Sequence, residues 1–418
     1  MVMKNLFSLN VLCVVSLSLF SACSSVHKLA GTPNVLQIPG AVEKSAASAL
    51  PAKDEKIFYV TDRQKLVNED DTITYLRDRS DSMEMGYATL SFTSTKVRDK
   101  KSIRVDMKHV APLVEFPTTP LPLVEGANGV AIEKAAMRNY QQSTKTMQDA
   151  LSEHMQRNGQ RELLLFVHGF NNSFDDAFFS LNDIWQYVKK DVVPMVYSWP
   201  SGSNSIFNYF TDRESGEFTI FHLKETLRIL AAIEQIEKIH IIAHSRGTDV
   251  ATTTLRELLI EMRASAEDPR ARYKVENLVL AAPDIDYGVV KQRLMAEQFG
   301  RGFGQITIYM NQGDNALSLS QFLMRGIRFG LLQSKQQGEI EGEIFKVIKN
   351  VAFINIEEVG GGISHGYFHQ HPAVLSDIVT LINTNSRPGT EDRPLKYERS
   401  NFWYLDNDYL LPKPLKQK

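Results

Sequence analysis

The stretch Ile239-His240-Ile241-Ile242-Ala243-His244-Ser245-Arg246-Gly247 decides how this chain is read. A largely apolar strand runs into a small-x-Ser-x-small corner, and a helical pattern follows. The chain can pass through such a corner only if the residues two before and two after the serine are small, and here they are Ala243 and Gly247. A serine held there stands clear of the backbone, with the first N–H groups of the next helix aimed at any negative charge beside it. Ser245 is therefore the expected nucleophile.

Working outward, short apolar runs recur at 57–60, 87–92, 163–167, 192–197, 239–243, 278–282, 306–310 and 351–356. Continuous runs such as Leu163-Leu164-Leu165-Phe166-Val167 suit strands buried on both faces. Between them, helical spacing appears at 174–189, 221–236, 250–262 and 373–382, the last opened by Pro372. Strands alternating with helices predict a mostly parallel central sheet of about eight strands flanked by helices. Two stretches, about 112–159 and 318–349, are too long for ordinary connections and are expected as lid-like insertions near the carboxyl edge of the sheet. The domain is expected over 56–385. The tail 386–418, polar and then aromatic at Phe402-Trp403-Tyr404, is expected to pack back on it.

The remaining chemistry should lie at strand ends. Phe166-Val167-His168-Gly169-Phe170 follows the third predicted strand. A His-Gly turn there presents a backbone N–H to an oxyanion, which assigns Phe170 and Arg246 as the two main-chain donors and His168 as a structural residue. Asp314 lies just past the seventh strand, where an orienting carboxylate belongs, and Asp284 and Asp286, past the sixth, are the alternative acids. The glycine-rich loop Gly360-Gly361-Gly362-Ile363-Ser364-His365 lets His365 reach over the corner as general base, with His369 and His371 as fallbacks. These three histidines lack a carboxylate at metal-ligand spacing, so no metal and no cofactor is implied. Tyr197-Ser198-Trp199-Pro200 either lines a substrate pocket or caps the sheet, and Arg246 either meets an anionic substrate or pairs with Asp249.

Composition excludes some classes. The chain has 418 residues, 43% hydrophobic and 23% charged, with a formal net charge of −2. Its basic cluster at 96–104 is interleaved with acidic and polar residues and reads as a solvated face, so nucleic acid is not an expected partner. The two cysteines, Cys13 and Cys23, leave none for a disulfide or metal site in the folded body. Residues 1–22 have the layout of a secretory signal: Lys4, an apolar run over 6–20, then Ser21-Ala22 before Cys23. Phe20-Ser21-Ala22-Cys23 resembles the bacterial lipobox, although Leu is commoner at the Phe20 position. The resemblance implies acylation of Cys23 and a flexible tether over 23–55; a simple cleaved signal or an uncleaved anchor is the other reading. Ser24 and Ser25, without an Asp, lean toward the outer membrane facing the periplasm.

With these residues in hand, the chain resembles the bacterial α/β-hydrolase family of unknown function DUF900. The resemblance runs from Ile57-Phe58-Tyr59-Val60-Thr61-Asp62-Arg63 to about Leu381 and includes 166–170, 197–200, 243–247, 281–286, 314–317 and Ser364-His365-Gly366-Tyr367-Phe368. It implies the α/β-hydrolase fold and a Ser-Asp-His triad on Ser245, Asp314 and His365, and it implies no substrate. Arg246 stands where relatives often carry Met, which bears on the polarity of the pocket. The expected activity is an esterase- or lipase-like serine hydrolase acting on a small-molecule or lipid ester. An amidase or peptidase would use the same triad, and a non-catalytic envelope-binding lipoprotein could use the same fold.

Overall fold

The computed structural model describes residues 27–28, 33–34, 55–97, 100–188, 191–202, 208–265, 267–324, 326–333, 344, 348–356 and 365–411. Cys13, Cys23, the signal segment and the glycines of the 360–362 loop lie outside the described residues.

The strands follow one another as β1 (His27–Lys28), β2 (Glu55–Val67), β3 (Ile73–Val97), β4 (Lys100–Glu115), β5 (Leu123–Gly126), β6 (Gly129–Ile132), β7 (Glu162–Val167), β8 (Val192–Ser198), β9 (Lys238–His244), β10 (Val275–Ala281), β11 (Gln305–Met310), β12 (Val351–Ile356), β13 (Lys396–Arg399) and β14 (Phe402–Leu405). Twelve of them form one sheet in the order β1-β4-β3-β2-β8-β7-β9-β10-β11-β12-β14-β13. From β2 to β14 every neighbour is parallel. Antiparallel strands close both edges.

The sheet is thus larger than the expected eight strands, and the reason is physical. Continuous apolar runs mark only strands covered on both faces. In β4, Ile103, Val105 and Met107 alternate with Arg104, Asp106 and Lys108, the pattern of an antiparallel strand with one face in water. The basic stretch read as a solvated face therefore runs into a strand. The short β13 and β14 come from the tail, and β14 adds a parallel strand beside β12.

The two faces of the sheet carry separate helix layers. Leu163, Leu165 and Val167 of β7 join the core that contains Met147, Leu151 and Met155 of α1 (Lys134–Asn158), Leu223 and Leu227 of α3 (Asn208–Ala231), and Leu255 and Leu258 of α4 (Gly247–Met262). Leu164 and Phe166 face the opposite core, with Phe178 and Leu181 of α2 (Phe174–Trp185) and with Leu375 and Ile378 of the helix Pro372–Thr384. This period-two sorting is what a strand buried on both sides requires.

Local signals set the helix ends. Ser173 and Asp176 form a reciprocal capping box at α2, and Gly159 ends α1 at φ +64°. Helix α3 begins earlier than its apolar period suggests, because its first turns bury polar Asp212, Ser215 and Thr219.

The stretch 112–159 is not a lid as a whole. Its helix α1 belongs to the core and leads into the amino end of β7. The β5–β6 hairpin precedes α1 and forms a separate two-stranded sheet, with Leu123, Val130 and Ile132 exposed. In the second stretch, Phe329 and Gly330 donate their N–H groups to Ile285 and Pro283 carbonyls, which seats that turn on the loop after β10.

Candidate active site

Strand β9 ends at His244, α4 begins at Gly247, and between them Ser245 sits at φ +50°. A non-glycine residue in this left-handed region costs on the order of 1 kcal/mol, so the surroundings must hold it there. They do so from two sides. Ser245 N–H donates to the Ala281 carbonyl of the next strand at 2.9 Å. Its own carbonyl accepts from Thr248 N–H at 3.1 Å and Thr248 Oγ1 at 2.6 Å. The size rule read from sequence has a direct cause: a Cβ on Gly247 would lie 2.2 Å from the His168 carbonyl oxygen and 2.7 Å from that of Val167. A Cβ on Gly169 would lie 2.8 Å from Ser245 Cβ, so the His-Gly turn passes directly against the serine. Phe170 follows that contact and Arg246 follows the serine, which puts both predicted main-chain donors one residue from the corner.

Asp314 is fully buried and divides its carboxylate between two tasks. Oδ1 accepts the N–H groups of Ala316 and Leu317 at 3.0 and 3.1 Å, capping the helix Asn315–Met324. Oδ2 lies 2.7 Å from His365 Nδ1, and because a carboxylate only accepts, Nδ1 carries the proton. The His365 ring is 25% exposed, open enough to meet a substrate. Its centroid is 4.7 Å from that of His244, the residue before Ser245. His244 Nε2 donates to the His365 carbonyl at 3.1 Å, and its ring stacks on Phe368 at 4.5 Å. Burial, and then the neighbouring His365, hold the His244 pKa well below the ordinary histidine value. His244 is therefore a neutral spacer between corner and loop. Among the described residues no hydrogen bond joins Ser245 Oγ to His365; in an unliganded site that contact is often long and tightens only when substrate binds.

The alternatives are engaged elsewhere. His369 Nδ1 pairs with buried Asp183 at 2.8 Å, and His371 Nε2 with Asn407 Oδ1 at 2.6 Å. Asp284 accepts from Ser320 Oγ at 2.6 Å and faces Arg328 at 3.6 Å. Asp286 caps a short helix through Val289 N–H at 3.0 Å. Neither acid is bonded to His365.

Trp199 is fully buried and stacked on His168 with centroids 5.1 Å apart, which favours the sheet-capping reading. Arg246 pairs with Asp249 at 2.8 Å. Sequence reasoning did not single out Arg63, nine-tenths buried or more and lying within β2 just past the end of its pairing with β8, whose guanidinium binds the loops after β7 and β8. An arginine after an apolar run reads as a surface residue; the available signal was the polar triplet Thr61-Asp62-Arg63 directly after the apolar run 57–60.

Residues 143–384 match the family model described as alpha/beta hydrolase of unknown function (DUF900). Among solved structures, a predicted CIB-like hydrolase from Thermoplasma acidophilum is similar at 11% identity, covering 71% of this chain and 99% of its own, with a TM-score of 0.31. An esterase from Pyrobaculum calidifontis matches at 12% identity over 58% of this chain and 93% of its own, TM-score 0.29. Est1E from Butyrivibrio proteoclasticus, solved with ferulic acid bound, matches at 11% identity over 54% of this chain and 87% of its own, TM-score 0.27. A comparison with curated proteins found no match. The family model spans more than half of the residues, and the chain belongs to the alpha/beta hydrolases of the DUF900 family.

Proposed function

We propose that this protein is a serine hydrolase that cleaves carboxylic esters through an acyl-enzyme on Ser245. The observation that carries the reading is the 2.7 Å bond between buried Asp314 and His365, on a ring packed beside the positive-φ corner at Ser245. With Nδ1 protonated and held by Asp314, the other ring nitrogen of His365 is the one that accepts a proton. It takes the Ser245 proton as Oγ attacks the ester carbonyl, then returns it to the departing alcohol oxygen. The Phe170 and Arg246 N–H groups stabilise the tetrahedral oxyanion, a contribution on the order of 10²–10³ in rate per donor. Water, activated by the same histidine, hydrolyses the acyl-enzyme.

The substrate is a small-molecule or lipid ester. The exposed apolar hairpin side chains Leu123, Val130 and Ile132 support a lipid-rich setting. We place the protein in the bacterial envelope, acylated at Cys23 and facing the periplasm, on the strength of the 1–23 sequence pattern.

A fluorophosphonate probe tests the nucleophile: wild type should be labelled and Ser245→Ala should not. Labelling that survives the substitution refutes the assignment. A panel of acyl esters and peptides then reads substrate class, with faster peptide cleavage overturning the ester reading. Cys23→Ser should move the protein from the membrane fraction to the soluble one; unchanged fractionation refutes the anchor.

A further inference from the structure

A donor for an oxyanion must be aimed before substrate arrives, and a backbone N–H can be aimed only through its own peptide plane. In a trans peptide the C=O and the N–H point in opposite directions. The direction of Phe170 N–H is therefore fixed by whatever holds the Gly169 carbonyl.

That carbonyl is held by the ring before it. His168 Nδ1 lies 2.9 Å from Gly169 O, and Ser201 Oγ adds a longer contact at 3.4 Å. Since a carbonyl only accepts, Nδ1 carries the proton. Nε2 of the same ring lies 3.3 Å from Arg63 Nη2, and a guanidinium only donates, so Nε2 is bare. Arg63 thus selects the tautomer that grips Gly169. The ring is fixed further by stacking on Trp199, whose Nε1 donates to the His168 carbonyl at 2.7 Å. Burial, with the Arg63 charge second, lowers the His168 pKa to about 3, consistent with a permanently neutral ring.

The guanidinium also holds the far end of the turn. Nη2 donates to the Asn172 carbonyl at 2.8 Å, Nη1 to the Ser201 carbonyl at 2.6 Å, and Nε to Ser198 Oγ at 2.9 Å. The turn closes on itself through Gly169 N–H to Asn172 Oδ1 at 3.2 Å. Both ends of the segment that presents Phe170 are therefore tied to one planar cation with donors in a rigid fork, a geometry that lysine does not reproduce.

We infer that Arg63 and His168 are positioning residues that turn the Gly169–Phe170 peptide so that its N–H faces the acyl oxygen at Ser245. The inference rests on the serine-hydrolase reading above. A donor that acts in the transition state and not on bound ester changes kcat and leaves KM in place, whereas a purely structural tie changes the amount of folded enzyme.

The test is steady-state ester hydrolysis by the full chain, with rates divided by the Ser245 sites titrated to completion with fluorophosphonate. Arg63→Lys and His168→Gln should each lower kcat per site on the order of 10²-fold, with KM within about threefold of wild type. His168→Asn, whose amide nitrogen falls near the Nδ1 position, should recover kcat to within about tenfold. If Arg63→Lys does not fold, the Gln and Asn variants at 168 decide alone. Equal kcat per site in His168→Gln and wild type, or no recovery in His168→Asn, overturns the inference while leaving Ser245 intact. Absence of wild-type labelling at Ser245 overturns the hydrolase reading, and this inference with it.

Discussion

Asp314→Asn separates the role of this residue in catalysis from its role in folding. The two N–H groups at 3.0 and 3.1 Å demand an oxygen at Oδ1. Turning the amide round would replace two accepted hydrogen bonds with donors facing donors, a loss of about 2 kcal/mol or more. The amide NH₂ must therefore occupy the Oδ2 site, 2.7 Å from His365 Nδ1. A donor there forces Nδ1 to accept, so the proton moves to the other ring nitrogen and the base facing Ser245 is lost. The expected fall in kcat is about 10⁴-fold, or roughly 5.5 kcal/mol in barrier height. Helix capping is retained, because Asn caps as well as Asp, and the melting temperature should change little. The assay pairs hydrolysis of a chromogenic ester with thermal unfolding, using Asp284→Asn as comparator. Asp284 is bonded to Ser320 and Arg328, so its variant should lose stability and keep most of its turnover. A folded Asp314→Asn enzyme within about tenfold of wild type would refute the tautomer argument, since intact geometry with the wrong tautomer predicts far more.

Three further outcomes follow from the same contacts. Gly247→Ala puts a Cβ 2.2 Å from the His168 carbonyl oxygen and 2.7 Å from that of Val167; it should cost about 1–3 kcal/mol in urea unfolding and abolish fluorophosphonate labelling by opening the corner. Arg393→Met removes a fully buried guanidinium that grips both oxygens of Asp377 at 2.9 and 2.7 Å. Leaving that carboxylate to the Tyr309 and Tyr409 hydroxyls should cost about 3–5 kcal/mol, read as a lower melting temperature. Stability should also fall on the acid side: burial lowers the His168 pKa to about 3 in the folded state, against 6.5 for an ordinary histidine, so the unfolded chain takes up more protons across that window. The stabilisation is complete above about pH 6.5 and is lost as pH drops toward 3, at up to about 1.4 kcal/mol per pH unit. Urea midpoints for His168→Asn should show a flatter pH dependence than wild type between pH 7 and 5.

How much of this was legible in the sequence depended on whether the cause was local. The Ser245 corner is a local steric problem, soluble only by small residues at 243 and 247, so nine residues sufficed to find it. Buried parallel strands declare themselves because both faces must be apolar, as in 163–167. Asp314 and His365 were placed by chain order, since triad members sit at successive strand ends. A strand wet on one face, such as β4, or exposed along its length, such as β13, gave no such signal, and the aromatic run of β14, buried at Phe402 and Leu405, read as a tail packed on the body and not as a strand.

What only the tertiary structure decided was pairing between distant parts of the chain. Sequence offered three acids and three histidines; the folded chain joins Asp314 to His365 and sends Asp284, His369 and His371 to other partners. Arg63 and Arg393 look like surface cations until the loops and the tail close around them. Charge and hydrogen-bonding capacity can be read from a residue, but the group that satisfies them lies tens to hundreds of residues away, and only folding brings the two within 3 Å.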